Sequence, residues 1–444
     1  MSFKNLKLSA PLLKAIAESE YTTPTPIQEK SIPVALSGKD LLARAQTGTG
    51  KTASYTLPLL HRLDNGRITP ANTTRALILV PTRELAMQVA QSIQTYGKHV
   101  SVRCTVVYGG VKINPQMMRL RRGTDILVAT PGRLLDLHNK NAIRFNALET
   151  LVLDEADRML DLGFADELQA ILQLLPPKRQ TLLFSATFSP TIRHLAKQMS
   201  KSSIEIKIES KESTVPAVRQ WMIPVDKKSK PELLLQLLEQ HQWSRALVFV
   251  LTRKGADRMV TFLQRSGIVC AAIHGDKSQR LRTKALTDFK AHRIAVLVAT
   301  DVAARGLDID AMPVVLNVDL PIVASDYIHR VGRTARAGAS GEAISLVCAD
   351  EHKQLISIEQ LLGQLIQREY EPGFEPNHEV PASLSPTRPV KPKKPKKNKK
   401  VAFKKAATKR TSSKKTSSKK KSAKNNRNTN RNRKKVSMRV KRSE

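Results

Sequence analysis

Short apolar runs, each the length of one β-strand, alternate with longer segments of helical spacing along most of this chain. The runs "ALILVP" (76–81), "CTVVYGG" (104–110), "DILVATP" (125–131), "TLVLDEAD" (150–157) and "TLLFSAT" (181–187) are separated by stretches such as "TRELAMQVAQSIQTYGKHV". That alternation predicts a parallel sheet covered by helices on both faces. It pauses in the polar, proline-containing "ESKESTVPAVRQ" (209–220). It resumes with "ALVFVLT" (246–252), "VCAAIHG" (269–275), "AVLVATD" (295–301), "VVLNVD" (314–319) and "AISLVCA" (343–349). The fold class is therefore α/β, with two tandem parallel-sheet domains at 1–209 and 217–375, a linker at 210–216 and a tail at 376–444.

With 41% hydrophobic residues in 444, the chain can fill two cores. No stretch approaches the roughly 20 apolar residues of a membrane-spanning helix. The opening "MSFKNLKLSAPLLKAIAE" has the spacing of an amphipathic helix and not of a signal peptide. A soluble, cytoplasmic protein is the expectation. Cys104, Cys270 and Cys348 sit in strand-like runs without metal-ligand spacing, which predicts buried free thiols.

Charge is distributed unevenly. From Pro386 to Glu444 there are 26 Lys or Arg against one Glu, so +25 of the net +37 lies in the last 59 residues. That segment holds Phe403 as its sole aromatic and is expected to be disordered, because it cannot bury enough apolar surface to offset chain entropy. Its composition suits a polyanion-binding arm.

"AQTGTGKT" (45–52) fits the phosphate-binding loop pattern, with Ala45 in the place of the first glycine. Gln46, Thr47, Gly48, Thr49 and Gly50 form the turn whose N–H groups face an anion. Lys51 supplies a point charge to the β- and γ-phosphates, and Thr52 a hydroxyl ligand for magnesium. The motif follows the strand-like "DLLARA" and precedes a helical segment, as its function requires. A second strand then explains the acidic cluster closing "TLVLDEAD". Asp154 is placed to hold magnesium, Glu155 to orient and deprotonate an attacking water, and Asp157 to orient its neighbours.

"DEAD" (154–157) together with "AQTGTGKT" resembles the DEAD-box RNA helicases, and the remaining family motifs occur in order over about residues 1–370. "TTPTPIQ" (22–28) resembles the adenine-sensing Q motif. "PTRELA" (81–86), "GG" (109–110) and "TPGR" (130–133) resemble first-domain RNA motifs, and "SAT" (185–187) the motif coupling hydrolysis to strand separation. "LVFVLTR" (247–253), "HGDKSQRLR" (274–282), "ATDVAARGLDI" (299–309) and "YIHRVGRTARAG" (327–338) complete the set. The short lead and basic tail resemble the bacterial RhlE-type branch.

The resemblance implies two RecA-like domains that close on RNA when ATP and Mg2+ are bound. It implies that Gln28 pairs with the adenine edge while Tyr21 stacks on the base. Glu20 stands where the family usually has glycine, and Phe3 resembles an upstream aromatic. Arg333 and Arg336 resemble arginine fingers, with Ala335 where glycine is common. Gly306 and Asp308 resemble residues completing the nucleotide pocket. Ser185, Thr187, His329 and Arg330 would couple the nucleotide and RNA sites. RNA contacts, mainly to the backbone, fall to Pro81, Thr82, Arg83, Gly110, Thr130, Gly132, Arg133, Thr252, Gln279, Arg282 and Thr300. The implied partner is RNA without sequence preference, ribosomal RNA or ribonucleoprotein assemblies being compatible, bound by a monomer.

Overall fold

The computed structural model describes residues 2–45, 49–200, 202–208, 218–304, 309, 312–334 and 341–382. All of these fall in one compact unit. The expected linker, the tail from 383 onward, and Gln46, Thr47, Gly48, Gly306, Asp308, Ala335 and Arg336 lie outside the described residues.

The first sheet is built from β1 (Asp40–Arg44), β2 (Thr74–Leu79), β3 (Cys104–Val107), β4 (Thr124–Ala129), β5 (Thr150–Leu153), β6 (Gln180–Ser185) and β7 (Ser203–Lys207). Its order is β3-β4-β2-β5-β6-β1-β7, with parallel pairing throughout. The second contains β8 (Val218–Pro224), β9 (Ala246–Phe249), β10 (Cys270–Ile273), β11 (Val296–Ala299), β12 (Val314–Asn317), β13 (Gly341–Val347) and β14 (Gln367–Arg368). Its order is β10-β11-β9-β12-β13-β8-β14, also parallel. Strand for strand the two orders are the same, with β8 standing where β1 stands.

Central strands are apolar on both faces because helices cover both faces. Ala76 and Ile78 of β2 join the core on one side of the first sheet, and Leu77 and Leu79 the core on the other. The functional motifs lie at the carboxyl ends of the strands, where the chain leaves each sheet and turns into the next helix. Phe3 is buried with Leu6 and Leu8 in the first core.

Three strands have no counterpart among the apolar runs. β7 is an edge strand whose alternating "SIEIK" leaves Glu205 exposed, so it carries little apolar signal. β8 begins with the polar Val218–Gln220 and becomes buried from Trp221 onward. β14 is two residues long. The tail also begins later than residue 376. Val380 is buried in the second domain's core, and the Arg368 guanidinium donates to the carbonyls of Val380 (2.6 Å) and Pro381 (2.7 Å). Asn377 is tied to Asp226 through its backbone N–H, at 3.0 Å. One valine and one arginine anchor a segment whose composition alone reads as unstructured.

The helix Ala10–Glu18 ends in a Schellman motif just ahead of Tyr21. Glu20 N–H donates to Ala17 O (3.1 Å) and Tyr21 N–H to Ile16 O (3.3 Å), with Glu20 held at φ +59°. A left-handed conformation disfavours an L residue by roughly 1–2 kcal/mol, and glycine avoids that penalty. Glu20→Gly is therefore expected to raise stability by up to about 1 kcal/mol in urea unfolding. Destabilisation would show that the Glu20 side chain makes a favourable contact of its own.

Candidate active site and nucleic-acid face

β1 delivers Ala45, whose N–H donates to Ser185 O (3.1 Å), at the start of the phosphate loop. The chain re-enters at Thr49, and Gly50 caps the helix Lys51–Leu63 with φ +90°. A Cβ at Gly50 would collide with the Gln28 amide, so glycine is required here by both conformation and space. Gln28 occupies the third position of the helix Pro26–Leu36. Its Oε1 accepts from Thr25 N–H (2.9 Å) and its Nε2 donates to Gly50 O (3.2 Å). The amide is thus held against the loop. Tyr21 stands half-exposed nearby on the same domain, with its ring 6.2 Å from that of Tyr96.

The Lys51 ammonium is buried and has no hydrogen-bond partner among the described residues. Close by, β5 ends and Asp154 and Glu155 follow. Asp154 Oδ2 accepts from the Tyr55 hydroxyl (2.8 Å), and Oδ1 from Glu155 N–H (2.9 Å). Tyr55 is fully buried against Phe184, with Thr52 beside its hydroxyl. Burial pushes the Asp154 and Glu155 carboxyls above their usual range, and the Lys51 charge pulls both back. Glu155 also has a left-handed backbone, φ +52°, an uncommon state for a non-glycine residue. Asp157 turns away from this group. Its Oδ2 accepts from Ala186 N–H (3.1 Å), Thr187 N–H (2.9 Å) and Thr187 Oγ1 (3.1 Å), tying it to the end of β6. Ser185 Oγ donates to Thr187 O (2.7 Å).

The donor set fits magnesium. Thr52 and Asp154 are hard oxygen ligands that share one hydroxyl neighbour, Tyr55, and each Asp154 oxygen keeps a free lone pair. Among the described residues no cluster of three or more His, Cys, Asp or Glu could hold a metal alone. That suits an ion bound by one or two protein oxygens together with phosphates and waters.

The second domain meets this group through the helix Ala324–Val331 and the residues after it. Arg333 is buried, and its charge lowers the Glu155 carboxyl. Burial pushes the His329 imidazole down to about 4, aided by Arg333, Arg158 and Lys51 and opposed by Asp157. Arg330 is occupied within its own domain: it forks onto Asp301 (2.6 and 2.7 Å) and donates to Asn317 Oδ1 (3.0 Å) and Asp319 O (2.6 Å). Tyr55 and Arg158 are residues that motif reading passed over. Arg158 is buried, with Nε and Nη2 lacking hydrogen-bond partners among the described residues, and burial lowers it to about 10 despite Glu155, Asp161, Asp301 and Asp157 around it. A tyrosine inside an apolar helix face and an arginine beside an acidic motif carry no signal of their own in one sequence.

The residues expected at RNA gather at the carboxyl ends of β2, β3 and β4 and of β9, β10 and β11. Thr82 caps the helix Arg83–Tyr96 by accepting from Leu85 N–H (3.3 Å), with Pro81 before it. The Arg83 guanidinium lies against Gly110, whose φ of +74° leaves no room for a Cβ. Thr130 opens the helix Pro131–Asn139, and a Cβ on Gly132 would meet nothing within 4 Å. Arg133 donates to Val111 O (3.0 Å) and keeps Nε and Nη1 without hydrogen-bond partners. Thr252 caps the helix Arg253–Arg265 by accepting from Gly255 N–H (3.0 Å), and Thr300 is buried at the end of β11. Gln279 and Arg282 both reach across to Glu84 of the first domain, at 3.0 and 2.8 Å. That buried carboxylate ties the two RNA-side rims together.

The DEAD/DEAH box helicase family model matches residues 25–195, and the helicase conserved C-terminal domain model residues 229–338. The chain is 42% identical over 367 residues to the DEAD-box ATP-dependent RNA helicase CshA of Bacillus cereus, covering 83% of this chain and 69% of that one. It is 40% identical over 366 residues to the DEAD-box ATP-dependent RNA helicase RhpA of Helicobacter pylori, covering 82% and 73%. Among solved structures, S. cerevisiae Dbp5 bound to RNA and ADP BeF3 superposes with a TM-score of 0.75 at 31% identity, covering 83% of this chain and 95% of that one.

The raised Glu155 carboxyl sets a pH-dependent stability. In the unfolded chain this group ionises near pH 4.3. In the folded protein it ionises higher, so folding binds the proton and stability falls as pH rises from the unfolded to the folded pKa. Above that window the ionised carboxylate lowers stability in full. Glu155→Gln removes this term. Without nucleotide, the variant is expected to melt above the parent at pH 7.5, with the gap narrowing as pH falls through the window. A variant that melts lower at pH 7.5 would contradict the assignment.

Proposed function

Because the chain belongs to the DEAD/DEAH box helicase family, we propose that it is an ATP-dependent RNA helicase whose two RecA-like domains close on RNA around the Lys51–Asp154–Glu155 group. The observation that carries this reading is the buried Lys51 ammonium, without a hydrogen-bond partner among the described residues, beside two carboxylates, with Arg333 of the second domain acting on one of them. A γ-phosphate would accept hydrogen bonds from that ammonium.

Gln28 presents the adenine-sensing amide, fixed by Gly50, and Tyr21 the stacking ring. Thr52 and Asp154 would hold Mg2+, which neutralises phosphate charge when bound. Lys51 meets the β- and γ-phosphates. Glu155 orients the attacking water and takes its proton as the new P–O bond forms and the bond to the ADP oxygen breaks. A carboxyl raised toward neutrality is the stronger base for that step. Arg333 stabilises charge on the transferring phosphoryl group, and we assign Arg336, Gly306 and Asp308 to the same pocket. Asp157 holds Ala186 and Thr187 at the end of β6, with His329 facing it from the second domain. The Glu84 bridge to Gln279 and Arg282 joins the RNA rims when the domains close, and reopening after hydrolysis releases RNA. We further assign the protein to the RhlE-type branch, acting as a cytoplasmic monomer on structured RNA such as ribosomal RNA. The basic composition of the tail supports the branch assignment.

Glu155→Gln is expected to lower RNA-stimulated hydrolysis by roughly 10²–10⁴-fold while ATP-dependent RNA binding persists. Hydrolysis near the parent rate would remove Glu155 from the mechanism. The tail should act on RNA alone. Truncation after residue 382 is expected to leave maximal ATPase nearly unchanged and to flatten the salt dependence of RNA binding, by roughly 0.7 log units per log unit of salt for each phosphate released. Identical slopes in the two forms would show that the tail does not bind RNA.

A further inference from the structure

The second sheet holds a cleft of about 650 Å³ whose lining includes none of the residues expected at the nucleotide and, of those expected at RNA, Thr252. Its position follows from the matching strand orders. In the first domain the phosphate loop follows β1, and the helix behind it opens with buried Lys51. In the second domain β8 occupies the β1 place, and the helix behind it, Lys230–His241, opens with buried Lys230. The cleft lies at this point, between the ends of β8, β9, β12 and β13. It is the second domain's counterpart of the nucleotide site.

It is not a second triphosphate site. Lys51 has no hydrogen-bond partner among the described residues, whereas the Lys230 ammonium donates to Val318 O and to Glu351 Oε2, both at 2.6 Å, and lies 3.7 Å from Asp319 Oδ1. The lysine that would meet phosphate is neutralised from within. The cations that remain available are Lys227, Lys228 and Arg258, on the cleft wall and solvent-exposed, with no ion pair among the described residues.

We propose that this cleft binds one nucleotide unit: a base, its ribose and a single phosphate. Three chemistries meet in it. Leu251, exposed despite being apolar, lies with Met259 and Phe262 along an apolar wall suited to a base. Lys227, Lys228 and Arg258 suit one phosphate, and the Glu232 and Asp350 carboxylates lining the same cleft can accept from ribose hydroxyls. The volume lies within the ordinary range for a small-ligand site. Thr252 belongs both to this cleft and to the rim expected at RNA, so a strand leaving that rim can place a splayed nucleotide here. The strand source rests on the helicase reading; a free mononucleotide has the same chemistry and does not.

The test uses the full-length protein and a short single-stranded RNA carrying 4-thiouridine. Photo-crosslinks are mapped by mass spectrometry, and binding of UMP is followed by saturation-transfer NMR. Crosslinks within residues 251–262 that fall at least fivefold in Lys228→Glu/Arg258→Glu, and that resist millimolar UMP, assign the cleft to the RNA strand. A UMP signal lost in that variant, without crosslinks, assigns it to a free nucleotide. Leu251→Glu, which places a carboxylate against the base wall, should abolish whichever signal appears. Absence of both signals in a parent protein that still hydrolyses ATP with RNA would overturn the proposal and leave the helicase reading intact.

Discussion

One electrostatic imbalance organises the first domain's site. The Lys51 ammonium is buried and, among the described residues, without a hydrogen-bond partner, beside two carboxyls that burial holds above their usual range. A buried ion without adequate pairing is disfavoured by several kcal/mol, so this arrangement persists only because the fold around it is firm. Tyr55 supplies part of that firmness, with its ring in the core and its hydroxyl on Asp154. The two-sided apolar strands supply the rest. Binding a phosphate with its cation relieves the imbalance, and the domain closure that brings Arg333 near Glu155 extends the relief across the seam.

The second domain shows what the same architecture looks like when the imbalance has been removed. Lys230 stands at the place of Lys51, yet Val318, Glu351 and Asp319 satisfy it completely. Arg330 is likewise consumed by Asp301 and Asn317. The two sheets share an order and differ in whether their buried cations are left wanting. Arg158 is the exception at the seam: four carboxylates surround it, and desolvation still prevails.

The sequence displayed most of this because the central strands are short, apolar and capped by motif residues. The runs at 76–81 and 181–187 overlap most of β2 and β6, the run at 150–157 contains β5, and "DLLARA" contains β1. Edge strands were less legible, since β7 presents alternating polar residues to solvent and β14 spans only two. The fold's hold on Val380 was hidden by the acidic and proline-rich residues around it. At the site, residues in a loop pattern were visible from spacing. Tyr55 was not, because a buried tyrosine at helical spacing looks like core until its hydroxyl is seen on Asp154. The engagement of Gln279 and Arg282 by Glu84 was also invisible, because it joins residues nearly 200 positions apart.

The central claim is that ATP and RNA together hold the two domains closed across this seam. Energy transfer between dyes on the exposed positions Asp166 and Lys284, measured in Glu155→Gln to prevent turnover, tests it most directly. The account predicts one high-transfer state that requires both ligands and a different, broader distribution with either alone. The same distribution under all four conditions, or full closure with ATP alone, would contradict it.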